Sequence, residues 1–305
     1  MSQVKVSVIS SAFNEEENVP ILSKLFDEFN RKHNMEYELV FVDDGSKDNT
    51  YANMIDSEKK YAGIKTARHR KNFGKTEGIL TGLKASSGSI VAIYDTDMQY
   101  SLDELPRMVE RIEKDGYDIC TGWKQGKYAK AFVSKVYNKL SRMIFNLPIH
   151  DQNGLKVLKK EIFSEIHLRK EWHRYIISLA VNKGFTVCEE KVELREREHG
   201  VSKYGNPFRV FIGIFDMMTV KFVISFLKKP MLLFGVSGAL LMSLGVLTGI
   251  AALILRFGFN LGFRPLLYLV MLLILSGLLV FAIGFIAELM AIIFEEVEDI
   301  KRRGK

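Results

Sequence analysis

The chain has 305 residues, 48% of them hydrophobic, and a formal net charge of +7, which allows one large domain or two smaller units with a buried core. The basic excess suits phosphates or anionic lipid headgroups as well as a solvated surface, but no recognised nucleic-acid module accompanies it, so we expect no nucleic-acid partner. The two cysteines, Cys120 and Cys188, lie in strand-like sequence without a CxxC motif, which predicts core residues in a reducing compartment.

The first 125 residues alternate strand and helix patterns. The predicted strands are residues 4–10, 37–42, 64–68, 89–94 and 118–121. The predicted helices between them are residues 18–31, 48–60, 74–85 and 102–114. This order predicts an α/β domain with a parallel, doubly wound sheet and helices on both of its faces. Ligands of such sheets bind beyond the carboxyl ends of the strands.

The next part of the chain has a less regular pattern. We expect helices at residues 130–146, 159–167 and 173–183, a loop at 150–154 and a strand at 185–194. Residues 195–205 are polar, which predicts a mobile loop. Residues 208–227 are apolar with a few interspersed charges, which predicts a helix that lies in a membrane interface.

Two apolar runs without charges follow, at about residues 231–255 and 265–288 apart from the terminal Glu288. Each is long enough to cross a hydrocarbon layer of about 30 Å as a helix, whereas the alternative, a buried hairpin of a soluble domain, rarely has two such helices. Lysine and arginine are concentrated before and after the two runs, and only Arg256 and Arg264 lie between them. The positive-inside rule therefore predicts a transmembrane hairpin with both termini in the cytoplasm.

Carboxylates follow two of the predicted strands. Asp95 and Asp97 are one residue apart, and such a pair can share Mg²⁺ or Mn²⁺, which favour oxygen ligands and complete their shell with phosphate oxygens. Surface turns and helix caps also produce this triplet. Asp43 and Asp44 can accept hydrogen bonds from a ribose hydroxyl or a base N–H, although a strand-to-helix turn containing Gly45 explains them equally well.

The combination of motifs is more specific than its parts and resembles the family 2 glycosyltransferases of GT-A fold. The segments that carry this resemblance are residues 8–15 (VISSAFNE), 42–46 (VDDGS), 70–75 (RKNFGK) and 95–99 (DTDMQ). Residues 151–156 (DQNGLK) and 197–204 (REHGVSKY) are similar to dolichol-phosphate mannose synthases and to two-span bacterial polyprenyl-phosphate glucosyltransferases. The resemblance covers about residues 4–215 and the C-terminal hairpin.

The resemblance implies a division of the chain into three parts. Residues 1–206 would form a cytoplasmic, Rossmann-like GT-A catalytic domain, residues 207–229 an interfacial amphipathic helical segment, and residues 230–305 the transmembrane hairpin with a cytoplasmic tail. Two departures concern Asn153, where relatives often have cysteine, and the lysines near residue 124, where relatives tend to have arginine. The QxxRW signature of processive polysaccharide synthases is absent, which argues against a polymerase.

The resemblance also implies the substrates and the residues that bind them. The donor would be a nucleotide diphosphate sugar of the UDP-glucose or GDP-mannose type, and the acceptor undecaprenyl or dolichyl phosphate. The expected donor-binding residues are Asn14, Glu15, Asp43, Asp44, Lys75, Asp95 and Gln99. The expected ligands of Mg²⁺ or Mn²⁺ are Asp95, Asp97 and Gln99. The expected acceptor-phosphate residues are Lys124, Lys130, Arg195, Arg197, Ser202 and Lys203, with Lys127 as an alternative. The expected catalytic residues are Asp97, Asp151 and Arg197.

The chemistry of the acceptor sets the expected mechanism. A phosphate monoester has a second pKa of about 6, so the acceptor is largely dianionic at neutral pH and needs no strong general base. Direct displacement at the anomeric carbon predicts inversion. Asp151 could orient a sugar hydroxyl or the acceptor, or join the metal shell. Two alternatives remain open, a transferase for another lipid acceptor and a catalytically silent, membrane-anchored nucleotide-binding protein. The sugar, the polyprenol and homo-oligomerisation are also open.

Overall fold

The computed structural model describes residues 4–34, 36–126, 131–195, 208–226, 229–262 and 264–303. They form two compact units, Met1–Phe215 and Asp216–Lys305. The strands of the first unit are β1 (Val6–Ala12), β2 (Tyr37–Asp43), β3 (Ile64–Arg68), β4 (Ile90–Ile93), β5 (Ile119–Gln125), β6 (Lys156–Lys159) and β7 (Val187–Glu193). They form one seven-stranded sheet in the order β3-β2-β1-β4-β6-β5-β7.

The helices alternate with the strands along the first part of the chain. They are α1 (Asn18–Lys32), α2 (Thr50–Lys60), α3 (Lys75–Ala85), α4 (Leu105–Glu113), α5 (Ala131–Phe145), α6 (Ile162–Glu165), α7 (Ile176–Asn182), α8 (Phe208–Phe226), α9 (Pro230–Gly258) and α10 (Arg264–Arg303). Two 3₁₀ helices, Leu102–Glu104 and Trp172–Tyr175, precede α4 and α7. The apolar helix expected at 208–227 is present as α8, and its position in a membrane interface stays a prediction.

Hydrophobic side chains cover both faces of the sheet. Successive residues of a strand point to opposite faces, so Val8 and Leu39 belong to one buried cluster while Ile9 and Val40 belong to the other. Strands that are apolar on both faces are typical of sheets covered by helices on each side. The predicted doubly wound α/β architecture is therefore confirmed.

The helix expected at 159–167 is present in a shorter form as α6 (Ile162–Glu165), and strand β6 departs from the predicted parallel sheet. It is antiparallel to both of its neighbours, β4 and β5, so the sheet is mixed. Its register places Lys156 opposite Ile93 on one side and Thr121 on the other. Because its direction is reversed, β6 begins at the edge where the parallel strands end. Lys156 consequently lies at the edge of the sheet where ligands of this architecture bind.

The second unit contains the two helices that are long and apolar enough to cross a membrane, Pro230–Gly258 and Arg264–Phe294. Their leucine side chains are largely exposed, for example Leu240 at 66% and Leu247 at 64%. Exposed leucines along the helices fit contact with lipid. Both helices extend beyond the predicted spans, so the connection between them is shorter than the expected loop at 256–264.

Glycines bring α9 and α10 into direct backbone contact. A Cβ atom on Gly238 would lie 2.7 Å from the carbonyl oxygen of Gly277, and one on Gly277 would lie 2.8 Å from that of Gly238. Small residues allow such close packing between membrane helices. Further along α10, the Glu288 carboxylate accepts a hydrogen bond of 2.9 Å from the Met231 amide, which would otherwise lack a partner within the first turn of α9.

Candidate functional site

Hydrogen bonds connect the turns after β1 and β2 to each other, and the turn after β4 to β1 itself. The Asn14 amide donates to the Ser46 hydroxyl at 2.9 Å, and the Lys47 amide donates to Asn14 Oδ1 at 3.0 Å. The Ser10 and Thr96 hydroxyls lie 2.9 Å apart. The structure therefore brings together the three segments that sequence analysis placed around a donor.

Asp43 and Asp44 are both buried, and their oxygens accept hydrogen bonds from the protein. Asp43 accepts from the Ser46 amide at 3.0 Å and from Arg68 Nε at 3.1 Å. Asp44 accepts from the Phe73 amide at 2.9 Å and from the Gly74 amide at 2.8 Å. In this structure the two carboxylates hold the strand end and the loop that leads into α3. Their contact with a nucleotide stays a prediction.

Two neighbouring residues support this part of the site. His69 Nδ1 lies 2.8 Å from Asp44 Oδ1, and its other ring nitrogen lies 2.8 Å from the Thr81 hydroxyl. Glu15 is partly buried, and its carboxylate accepts a hydrogen bond of 2.7 Å from the Asn18 side-chain amide. The expected role of Glu15 in binding the donor also stays a prediction.

The carboxylate turn after β4 lies beside the first residue of α3. The Lys75 ammonium donates a hydrogen bond to Asp95, whose side chain is 48% exposed. Desolvation opposes the charge on Asp95, but the Lys75 ammonium and its hydrogen bond lower the pKa of this carboxyl below its ordinary value. Met98 adopts a left-handed conformation with φ of 53°, and its amide donates to the Asp95 carbonyl at 3.2 Å. The expected metal ligands Asp95, Asp97 and Gln99 therefore lie in or directly after one tight turn.

Asp151 and Lys156 lie near this turn on the neighbouring segment. Asp151 is 2% exposed, accepts a hydrogen bond of 2.8 Å from the Asn153 amide, and lies 3.7 Å from Lys124 Nζ. Lys156 is also buried and donates to the Gly154 carbonyl at 3.1 Å. A Cβ atom on Gly154 would lie 1.9 Å from the Gly122 carbonyl oxygen, so only glycine lets this segment pack against β5.

The charge of Lys75 affects the pKa values of two buried neighbours, Lys156 and His173. Burial, and next the charge of Lys75, lower the pKa of Lys156 to about 8, although Asp151 and Asp95 act in the opposite direction. Burial also lowers the pKa of His173 to about 2, with Lys75 again the next cause. His173 is therefore neutral at physiological pH, and its Nδ1 lies 3.1 Å from the Thr76 hydroxyl. The site therefore combines a neutral imidazole with several lysines and with the carboxylates of Asp95 and Asp151.

Lys156 was not predicted as a site residue. In the sequence, only its position five residues after Asp151 pointed to the site. The antiparallel direction of β6, which places Lys156 at the edge of the sheet beside the site, is visible only in the structure. Arg195, which was predicted, lies beside the carboxylate turn, because its amide donates to the Gln99 carbonyl at 2.8 Å. The other residues expected to bind the acceptor phosphate, apart from Lys124, lie outside the described residues: Lys127, Lys130, Arg197, Ser202 and Lys203.

The turn that contains Asp95 and Asp97 fits a divalent cation whose coordination shell is completed by substrate oxygens. Within the described parts of the chain, no group of three or more His, Cys, Asp or Glu side chains could hold a metal ion. Asp95 and Asp97 nevertheless offer carboxylate oxygens from one turn, and the position beside Asp95 already attracts a cation, the Lys75 ammonium. Mg²⁺ is typically bound through one or two carboxylates together with substrate phosphates and water.

Comparisons with known proteins identify the family and the fold. The model of the glycosyl transferase family 2 matches residues 7–175. A dodecaprenyl-phosphate galacturonate synthase of Rhizobium johnstonii is 30% identical over 308 residues, which cover 95% of this chain and 89% of that protein. An undecaprenyl-phosphate 4-deoxy-4-formamido-L-arabinose transferase of Pseudomonas paraeruginosa is 26% identical and covers 96% of this chain and 86% of its own length.

Solved structures show the same fold at lower identity. The glucosyl-3-phosphoglycerate synthase of Mycobacterium tuberculosis, in complex with Mg²⁺ and uridine diphosphate, superposes with a TM-score of 0.55 and 19% identity. The superposition covers 70% of this chain and 79% of that one. The predicted GT-A fold is thereby confirmed. Because the family model covers more than half of the sequence and one relative matches nearly all of it, this chain belongs to the glycosyl transferase family 2.

Proposed function

We propose that this chain transfers a sugar from a nucleotide diphosphate sugar to a polyprenyl monophosphate in the membrane. The observation that carries the proposal is the site at the strand ends, where the Asp95–Asp97 turn lies beside Lys75 and near Lys156. This site belongs to a chain that also contains two helices able to span a membrane. The two relatives named above, which match nearly the whole chain, carry polyprenyl phosphates in their names.

The donor would bind at the ends of β1, β2 and β4. Asp95, Asp97 and Gln99 would hold Mg²⁺ or Mn²⁺ against the diphosphate, and this ion would neutralise charge on the departing nucleotide. Lys75 and Lys156 would contact the phosphate oxygens as point charges. Asn14, Glu15, Asp43 and Asp44 would form the nucleotide side of the pocket, either directly or by holding the loops that surround it.

The acceptor would be bound by basic residues next to this turn. A phosphate monoester is largely dianionic at neutral pH, because its second pKa is about 6, so its own oxygen can attack the anomeric carbon. The protein must then hold two anions in line, which Lys124 and Arg195 could do together with Arg197 and Lys203 of the polar loop predicted at 195–205. Asp151 would position Lys124, from which it lies 3.7 Å. Direct displacement would invert the configuration of the sugar.

The sequence and the relatives together indicate which donor sugars to test. Glucose and mannose donors were expected from the sequence, while the names of the two relatives contain galacturonate and 4-deoxy-4-formamido-L-arabinose. A donor panel should therefore include uronic and amino sugars.

We also propose that the catalytic domain and both termini face the cytoplasm, because lysine and arginine flank the two apolar helices at their outer ends.

The test uses the full-length protein in nanodiscs with undecaprenyl phosphate, dolichyl phosphate, diacylglycerol or no added acceptor. Release of nucleoside diphosphate is measured for each donor with Mg²⁺, with Mn²⁺ and with excess chelator. We expect release that depends on both a polyprenyl phosphate and a divalent cation, with a lipid-phosphate sugar as product. Release with diacylglycerol instead would support the other acceptor class, and no release with any donor would support a silent nucleotide-binding protein.

A further inference from the structure

We propose that Lys75 occupies the cation position of the donor site until the donor arrives, and that its ammonium then moves from Asp95 to the donor diphosphate. Lys75 would thus act as an internal counter-ion that makes the binding of metal and donor mutually dependent. The inference rests on the proposed function, because it takes a divalent cation and a nucleotide diphosphate as the ligands.

The backbone of Lys75 is fixed while its side chain can move. The preceding loop is held by Asp44, which accepts hydrogen bonds from the Phe73 and Gly74 amides at 2.9 and 2.8 Å. Gly74 has a φ of 96°, which favours glycine, and Lys75 is the first residue of α3. Its side chain is 34% exposed and ends at the Asp95 carboxylate. Rotation about its four-carbon stem can therefore redirect the ammonium without moving the helix.

A divalent cation and the Lys75 ammonium compete for the same carboxylate. Mg²⁺ binds carboxylate oxygens directly, at a distance of about 2.0–2.1 Å. The ammonium is hydrogen-bonded to Asp95 Oδ1, so a metal ligated by that oxygen would have to displace it. A metal bound while Lys75 remained in place would also face like-charge repulsion at close range. Free metal should therefore bind the donor-free protein poorly.

The donor would provide Lys75 with a new partner. Two largely buried groups, Lys156 and His173, lie close enough to Lys75 for its charge to lower their pKa values. A diphosphate brings several negative charges close to the ammonium groups of Lys75 and Lys156. Lys75 can then leave Asp95 without losing its ion pair, and the vacated oxygen becomes available to the metal that the diphosphate carries. Binding of each ligand should consequently strengthen binding of the other.

The test measures Mn²⁺ affinity by electron paramagnetic resonance of free Mn²⁺, with full-length protein in nanodiscs of uncharged lipid. Without nucleotide, Lys75→Gln is expected to bind Mn²⁺ about fivefold or more tightly than the unmodified protein, within the usual range of coupling between sites. Lys84→Gln is the matched control, because Lys84 is an exposed lysine in the last turn of the same helix, and it should leave Mn²⁺ affinity unchanged. Lys75→Arg keeps the charge and should retain the weak affinity.

Addition of UDP or GDP should tighten Mn²⁺ binding to the unmodified protein more than binding to Lys75→Gln. Equal or weaker Mn²⁺ affinity of folded Lys75→Gln without nucleotide would overturn the inference while leaving lipid-dependent transfer untouched. If Lys75→Gln does not fold, tight Mn²⁺ binding by Lys75→Arg or by the unmodified protein without nucleotide would overturn it. If the unmodified protein binds no Mn²⁺ with either nucleotide, the metal-dependent part of the proposed function fails as well.

Discussion

Asp97 lies in the turn after β4, one residue beyond Thr96, whose hydroxyl is bound to Ser10 of β1. We predict that Asp97→Asn lowers the rate of sugar transfer roughly 100-fold, a loss typical when one group that stabilises charge in the transition state is removed. An amide has nearly the size of the carboxylate but lacks the charge that a hard cation requires. The rate of lipid-dependent nucleotide release and the melting temperature should be measured together.

The matched control for this change is Asp103→Asn. Asp103 lies a few residues further along, its side chain is 68% exposed, and its nearest basic partner is Lys32 at 3.6 Å. We expect this variant to transfer sugar at the same rate as the unmodified protein. Full activity of Asp97→Asn would contradict the proposed role of Asp97 as a metal ligand. A much lower melting temperature of that variant would indicate that Asp97 has a structural role.

Lys156 is a buried lysine and the first residue of β6, the strand between β4 and β5. Its pKa of about 8 is lowered by burial and by the neighbouring lysines, so its charge is present at pH 7 and is lost as the pH rises through 8. A neutral amine cannot neutralise a diphosphate. We therefore predict that kcat/KM for the donor falls between pH 7 and 9, which reports on the free enzyme. The acceptor phosphate, with its pKa of about 6, is already ionised over this range.

Lys156→Met provides the comparison for this pH profile. Methionine is unbranched and similar in length but carries no charge. The variant should have a reduced kcat/KM at pH 7 and should lack the decline that begins near pH 8. A variant that keeps the same decline would assign the titration to another group.

The hairpin of α9 and α10 depends on glycines at the contact between its two helices. We predict that Gly277→Ala destabilises the hairpin by about 1–3 kcal/mol, because added atoms in a close-packed contact force a shift of the backbone. The new Cβ would lie 2.6 Å from Met242 Cγ and 2.8 Å from the Gly238 carbonyl oxygen. Equilibrium unfolding in mixed detergent micelles measures the free energy of unfolding.

Gly258→Ala is the control for this packing prediction, since a Cβ atom on Gly258 would have no neighbour within 4 Å. This variant should unfold at the same detergent fraction as the unmodified protein. Similar destabilisation by both substitutions would indicate an effect of glycine on the helices themselves and not on the contact between them.

At the scale of elements, most of the sheet could be predicted from sequence because its strands are long and apolar. β2 and β3 lie within one residue of their expected bounds, and β1 begins and ends two residues later than expected. β6 was missed because its four residues, Lys156–Lys159, are too few to show a period and have lysine at both ends. The direction of a strand also depends on pairing with distant segments, which no local pattern encodes.

The site was predictable as a set of segments but not as a set of contacts. The strand-end carboxylates were identified from their position after apolar runs, and the structure brings their turns together. That Asp44 binds the Phe73 and Gly74 amides could not be foreseen, because these partners lie about 30 positions away in sequence. The buried position of Lys156 likewise depends on the antiparallel pairing of β6.

At the scale of the whole molecule, the distribution of lysine and arginine leads to a test of orientation. We predict that Leu261→Cys, in the connection between α9 and α10, is labelled from outside intact cells by a membrane-impermeant maleimide. Leu261 is 62% exposed, whereas the native cysteines Cys120 and Cys188 are buried and should react slowly. Lys47→Cys, at an exposed position of the first unit, should be labelled only after the membrane is permeabilised. The reverse pattern would place the first unit outside the cytoplasm.

The backbone contact between Gly238 and Gly277 has a consequence for how copies of this chain could associate. Glycine-lined surfaces are the ones through which membrane helices pair most closely, and here that surface is already used within a single chain. The outward faces of α9 and α10 present bulky leucine and phenylalanine side chains instead. We therefore expect any dimer formed within the bilayer to be held by loose side-chain packing, and to dissociate on dilution into excess lipid.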